Sequence, residues 1–488
     1  MRQVITLNDG EDIADFAVDF GVSLGASYVE ARFVDSTEEG YTARNGGIIG
    51  AGKKENSGIS VRVLANGGLG FCSTARLKKD KAEKAIAMAI KMAKAGRRRI
   101  PITFSEEEAV EAKWKTDVKE KIEDISDEQK RQLVVGLDKR LVGEDFGKHL
   151  VVRTLLLNMS RERKYIATSE GSKVESEKSL IGFYTFNTAK GPSGTEQRFS
   201  GMASSAGWEW LEEEEIEDAV VKDNASLVKA ALNAKAIDLG ETDVVVSGEV
   251  SGIMAHENIG HPSEADRILG REGAQAGESF YIDLLKGEKL SKTKIGTEAV
   301  TIIDDPTLQG SAGFYLYDDE CVKARPRNLI EKGMLNEVLL NREFAARFNL
   351  KSNGAARAIG YNREPIIRMA NTYFAAGDFT LEELIEDIKE GIYMKSFTEW
   401  NIDDRRFQSK YVGLEVNLIK NGEVTDTMVR RPTLELTTFG LLGSVDAVSR
   451  EFDATYATCG KGDPMQGAPV WMGGSQVRMR KIRLGGQW

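Results

Sequence analysis

The sequence predicts an α+β protein, with a mixed α/β domain over residues 1–238 and a strand-rich domain over 239–488. Helix-period and strand-period apolar runs alternate through the first half. The second half is dominated by short strand-like runs broken by glycine. Between them, residues 236–242 follow a helix end and precede a strand, which makes them the natural boundary.

In the first half, residues 11–20 have helical apolar spacing. Residues 28–33 and 59–64 read as strands, with Asn45-Gly46-Gly47 and Asn66-Gly67-Gly68 as turn material. Over 80–95, Ala82, Ala85, Ile86, Ala89, Ile90 and Ala93 fall on one helical stripe, and Gly96 ends it. Ser126 and Gln129 form a capping box for a helix through Leu141. Strands follow over 150–158 and 182–187. The acidic run 212–215 opens a helix that ends near Ala236, where negative charge suits the helix N-terminus. Residues 243–250 read as a buried strand. Thr380 and Glu383 cap a helix over 381–392, and Asn421-Gly422, between 416–419 and 424–429, predicts a hairpin.

The composition bounds the function. Of 488 residues, 41% are apolar and 29% charged, an ordinary globular balance, and the net charge is −10. An acidic chain argues against nucleic acid as a partner, because phosphate binding needs a basic footprint. Arg97-Arg98-Arg99, the one compact basic run, follows the Gly96 helix end and reads as a solvated C-terminal cluster. No apolar run is long enough to span a membrane, and Met1-Arg2-Gln3-Val4-Ile5 does not resemble a signal peptide. Cys72, Cys321 and Cys459 are odd in number and far apart, which fits a reducing cytoplasm rather than a disulfide framework.

Chemistry concentrates at His256-Glu257-Asn258-Ile259-Gly260-His261. The chain has only three histidines, and two of them flank this glutamate. Two imidazoles and a carboxylate are what a catalytic zinc site draws from a short segment: two ligands and a general base. The spacing is five rather than the metalloprotease four. On a regular helix, residues five apart diverge by about 140°, against about 40° for four. Both histidines can face one ion only if the helix takes a π-type turn or ends at Gly260. A third ligand is then needed. His149, Glu264, Asp266 and Cys459 are all open on spacing alone. Cys459 stands in what reads as a glycine-flanked loop, with Lys461 positioned to favour its thiolate. Cys72 and Cys321 read as small buried hydrophobes.

At these residues the chain resembles the TldD/PmbA family, metalloproteases long labelled modulators of DNA gyrase. The His256-Glu257-x-x-x-His261 segment resembles the signature of the catalytic, TldD-type branch. Asp318-Asp319-Glu320 followed by 329–335, Arg368-Met369-Ala370-Asn371-Thr372, Cys459-Gly460-Lys461 and Leu484-Gly485-Gly486 resemble further family stretches in the same order. Cys321, where many relatives carry Gly, and Asp463-Pro464-Met465 depart from the pattern. The resemblance implies one zinc ion held by His256, His261 and Cys459, with Glu257 as general base. It also implies a homodimer, or a heterodimer with a PmbA-like subunit.

The expectation is therefore a cytoplasmic zinc-dependent peptidase that hydrolyses unfolded or extended peptides with a metal-activated water. A strand edge in the second half would hold the peptide, and Arg368 and Asn371 would contact it or serve the sheet. The competing expectations are a non-proteolytic regulatory protein of the gyrase-modulator type and a zinc amidohydrolase acting on a small amide.

Overall fold

The computed structural model describes residues 7–272, 277–285 and 293–485. The run Met1-Arg2-Gln3-Val4-Ile5 and the Gly486 of the closing motif lie outside them. The structure is mixed α and β, with a strand-rich C-terminal part, as the patterning predicts.

The first half folds around a seven-stranded sheet. It is built from β1 (Tyr28–Arg44), β2 (Gly47–Ala65), β3 (Gly68–Thr74), β4 (Glu111–Lys115), β5 (Leu150–Thr168), β6 (Lys173–Gly191) and β7 (Gly194–Ser204). The order is β3-β2-β1-β5-β6-β4, with β7 also on β6. Helices α1 (Leu7–Ser23) and α2 (Lys79–Ala95) cover one end of it. The α2 stripe expected from spacing is the buried stripe observed, and it packs on Val29, Ala31, Ile59 and Val61. The capping box of α3 (Asp127–Gly143) forms, with Gln129 N donating to Ser126 Oγ and Ser126 N to Gln129 Oε1. A short helix α4 (Trp210–Glu213) precedes α5 (Ile216–Asn233).

Several strands outrun their apolar patterns. β1 continues from its buried start through polar residues to Arg44, because it is paired on both sides, to β2 and to β5. In the polar stretch Glu38 stands opposite Lys54 and Glu39 opposite Lys53, so opposite charges replace apolar alternation.

The second half forms a thirteen-stranded sheet that starts with β8 (Glu241–Val246). Its centre is a long hairpin, Val445–Lys461 with Gln466–Gly485. β8 pairs with the second hairpin strand and, in parallel, with Glu390–Met394. Asn371–Phe374 runs parallel to the hairpin from Trp471 to Gly474. The hairpin at Asn421-Gly422 forms with both turn residues at positive φ. The acidic turn and following hairpin are also present. Asp318 Oδ1 accepts from Glu320 N and Val322 N, and Arg327–Glu331 pairs with Met334–Leu335. Cys321 closes the acidic turn at φ 62°, a left-handed conformation that Gly adopts without cost.

Three expectations are corrected. The strand over 243–250 stops at Val246; Ser247 Oγ then accepts from Val250 N and caps α6 (Gly248–Ala255). The apolar run itself covers only residues 244–246, and Ser247 is a helix N-cap residue type. The helix over 381–392 ends at Ile385, because residues 390–394 are taken as a strand beside β8. Cys459 lies on a hairpin strand rather than in a loop; the turn comes later, at Gly462, with φ 88°.

Candidate metal centre

The site is built where α6 meets the hairpin. α6 packs so closely that a Cβ on Gly252 would lie 2.2 Å from Gly473 N. After Ala255 the helix widens into a π turn over His256–Gly260, with His261 N donating to His256 O at 3.1 Å. This is one of the two solutions that the five-residue spacing requires. The buried Asn258 stabilises the turn: its Nδ2 donates to Met254 O and to the Tyr411 hydroxyl, and its Oδ1 accepts from Thr438 Oγ1. Gly260 lies against Met369, whose Sδ would be 2.0 Å from an added Cβ.

The turn brings the two imidazoles together, with centroids 4.8 Å apart and planes at 82°. Cys459 reaches them across the sheet, its Sγ 3.5 Å from His261 Nε2. The potential ligand atoms of His256, His261 and Cys459 all lie within 4.8 Å of one another, and all three residues are buried. The His261 Nδ1 is held by Glu264 Oε2 at 3.0 Å, which leaves Nε2 facing the thiol. The Nδ1 of His256 is buried without a hydrogen-bond partner. An orphaned imidazole nitrogen beside a second imidazole and a thiol is a donor set that fits zinc.

Electrostatics favour ligand-ready forms. Burial holds the His256 imidazole below its ordinary value, against the pull of Glu257 and Glu264, which keeps it neutral. Burial pushes the Cys459 thiol up, but His261 and Arg368 outweigh it and bring it down to about 7. The cation expected to do this, Lys461, is instead spent on Asp266 at 2.7 Å and Glu264 at 3.3 Å.

Glu257 is next to His256 in sequence and accepts from Trp400 Nε1 at 3.3 Å and from Arg406 Nη1. Burial raises its carboxyl, but His261, Arg406 and His256 together hold it below its ordinary value. Trp400 lies on the strand Phe397–Ile402, which pairs on one side with Gln408–Gly413 and has no strand partner on its other edge among the described residues.

The remaining predicted residues fall elsewhere or behind the site. His149 is half-buried at the start of β5 and outside the cluster. Glu264 sits behind His261, where Arg267 also holds it, and Asp266 pairs with Lys461. Arg368 donates to Cys459 O and Gln466 O, which ties the two hairpin strands together. The Asn371 amide is fully engaged, accepting from Gly313 N and Trp471 N and donating to Asp305 O and Ser311 Oγ. Cys72 and Cys321 pack among apolar neighbours. Trp400, Arg406, Tyr411 and Thr438 were not legible in the sequence, because each reaches the site from more than 140 residues away.

Comparison with known proteins agrees along the chain. Residues 29–93, 120–232 and 239–486 match models of the PmbA/TldA metallopeptidase domain 1, central domain and C-terminal domain. A metalloprotease of Methanocaldococcus jannaschii is 31% identical over 487 residues, 98% of each chain. A zinc metalloprotease TldD homolog of Saccharolobus solfataricus is 33% identical over 249 residues, 51% of this chain and 52% of the relative. The crystal structure of TldE from Thermococcus kodakarensis shares the fold, with a TM-score of 0.74 at 17% identity over 98% of this chain and 100% of that one.

Proposed function

The chain belongs to the PmbA/TldA metallopeptidase family, and from that premise we propose that it is a zinc-dependent peptidase with His256, His261 and Cys459 as ligands and Glu257 as general base. The observation that carries this reading is the convergence of two buried imidazoles, one with an orphaned Nδ1, on a buried thiol of lowered pKa, with Glu257 adjacent. One zinc ion bound there would supply Lewis acidity toward a scissile carbonyl and bring the pKa of a water from about 15.7 toward about 7.

The chain's own groups supply the rest. Trp400 and Arg406 fix both oxygens of Glu257, which takes a proton from the attacking water and passes it to the leaving amine. The unpaired edge of Phe397–Ile402, beside Glu257, offers main-chain hydrogen bonds to an extended peptide, which supports unfolded peptides as the substrate class. Arg368 and Asn371 then act as positioning residues of the sheet rather than as substrate contacts. The proposal includes a metal-bearing domain over residues 239–488 and an N-terminal domain over 1–238, supported by the first sheet ending at Ser204 and the second beginning at Glu241. It also includes dimers, homomeric or with a PmbA-like subunit. Three free cysteines support a cytoplasmic location; among the described residues no helix is long and apolar enough to cross a membrane.

The test is Glu257→Gln. The variant should retain zinc and lose hydrolysis of an unfolded protein, an activity that a chelator also abolishes in the parent. Normal turnover by the variant, or turnover unaffected by chelation, would sink the assignment. Full zinc retention by Cys459→Ala would remove the thiol from the ligand set.

A further inference from the structure

One sizeable cavity is not at the metal centre. It has a volume of about 710 Å³ and opens between the seven-stranded sheet and the long hairpin; none of His256, Glu257, His261 and Cys459 lines it. It lies behind the metal centre. Along the hairpin strand the exposed Thr458 lines the cavity while the buried Cys459 points to the opposite face.

Three cations line the cavity with no carboxylate partner among the described residues. Lys178 Nζ donates to Ala312 O at 2.8 Å and Phe314 O at 2.9 Å. Arg357 donates to Met369 O at 2.7 Å and Pro469 O at 3.0 Å. Arg368 donates to Gln466 O and Cys459 O, and its Nε is buried without a partner. The cations repel one another. Burial, then Arg357, holds the Lys178 ammonium well below its usual range, and burial with Arg368 lowers Arg357 against the Tyr315 hydroxyl.

The acidic groups at the cavity wall are already engaged. Lys164 holds Asp319 and Glu162, each at 3.0 Å, Lys130 holds Glu39, and Asp318 accepts from backbone N–H groups. Arg368 is buried and Lys178 and Arg357 are half-buried, and charges of one sign drawn partly out of water without a counter-charge are costly unless something else compensates them. Part of the wall is aromatic: Tyr184 and Tyr456 stand 4.9 Å apart, and Trp114 packs edge-on against Phe314 with its Nε1 buried and unpartnered.

We infer that this cavity is a binding site for an organic carboxylate with an apolar body, of which the free C-terminus of a peptide is one source. The carboxylate head sits between Lys178 and Arg357, whose guanidinium can bind it bidentately, with the Arg368 charge behind them, and the apolar body lies on the tyrosine and tryptophan faces. This site does not depend on the peptidase reading, because binding to it can be measured whether or not the chain cleaves peptides.

The test is calorimetry on the full-length, zinc-loaded Glu257→Gln protein. The probes are 3-phenylpropionate, 3-phenylpropionamide, inorganic phosphate, and an alanine-rich pentapeptide ending in Phe as free acid and as amide. Each acid should bind at least tenfold more tightly than its amide. Lys178→Met and Arg357→Met should each weaken the acid at least tenfold with zinc content unchanged, and Lys178→Arg should restore it. A peptide acid that binds more tightly than 3-phenylpropionate assigns the site to peptide ends; the reverse order assigns it to small carboxylates. Equal binding of acid and amide, phosphate binding as tight as the organic acid, or full affinity in Lys178→Met would each overturn the inference.

Discussion

His261 and Glu264, three residues apart, meet through Nδ1 and Oε2 at 3.0 Å, and the same carboxylate oxygen accepts from Arg267 Nε at 2.5 Å. A carboxylate behind a ligating imidazole fixes its tautomer and orients its ring. Removing such a partner typically costs about 10–100-fold in metal affinity. Glu264→Gln should therefore weaken zinc binding by about that factor in competition with a chromogenic chelator while the fold persists. Parent-like affinity would reduce Glu264 to a packing residue.

Gly260 tests the π turn. By helix propensity alone, Ala in place of Gly is favourable by up to about 1 kcal/mol. Here the added Cβ would meet Met369 Sδ at 2.0 Å in a fully buried contact, so overpacking decides the sign. Gly260→Ala should destabilise by about 1–3 kcal/mol in urea unfolding; the buried Met369→Ala carries its own cavity cost of about 2–5 kcal/mol, and the double variant should lose clearly less than the sum of the two. Additive losses in the double variant would show that the two residues do not meet.

The legible parts of the fold were those decided by local chemistry. The Ala82 to Ala93 stripe, the Ser126/Gln129 box and the Asn421-Gly422 turn carry their own geometry, and all three form as read. The five-residue histidine spacing likewise required a widened or broken helix, and the widened one is present. Long-range pairing was not legible. Ile388 and Ile392 satisfy a helical period, yet Ile392 pairs opposite Val244 in a strand beside β8. The apolar run over 244–246 ends at Ser247, whose cap, followed by Gly248-Glu249, marks the change from strand to helix. At the site, Trp400 and Arg406 reach Glu257 through folding alone, with no spacing to betray them.

Asp319 links the acidic turn to the first sheet. Its carboxylate receives Lys164 Nζ at 3.0 Å and Ala358 N at 2.6 Å. Burial raises this carboxyl, but Lys164 and then Arg32 outweigh it and hold it below its ordinary value. An unfolded Asp titrates near about 3.9, so on acidification the unfolded chain binds this proton first. The stability that Asp319 contributes is therefore complete above the unfolded value and lost as pH falls through the folded one. Asp319→Asn should cost about 2 kcal/mol at neutral pH, the usual scale for a hydrogen-bonded charge. The gap to the parent should shrink as pH falls below the unfolded value and close once the folded carboxyl is also protonated. A gap that widens on acidification would contradict the linkage.

Arg406 holds Glu257 from a residue at φ 61°, and Arg406 N donates to Asp403 O at 3.0 Å, so the contact depends on a fixed turn as well as on charge. Arg406 hydrogen-bonds to Glu257, the proposed base, so its effect can be told from that of the proposed metal ligands by zinc content. If its work is to aim the Glu257 carboxylate, Arg406→Met should leave zinc content and KM near parental values. It should lower kcat by about 10–100-fold, the scale for a misplacement of roughly 1 Å. Lys at the same position keeps the charge but not the fork, so it should recover only part of the loss. A rise in KM with kcat unchanged would instead make Arg406 a substrate-binding group, and loss of zinc would make it a structural one.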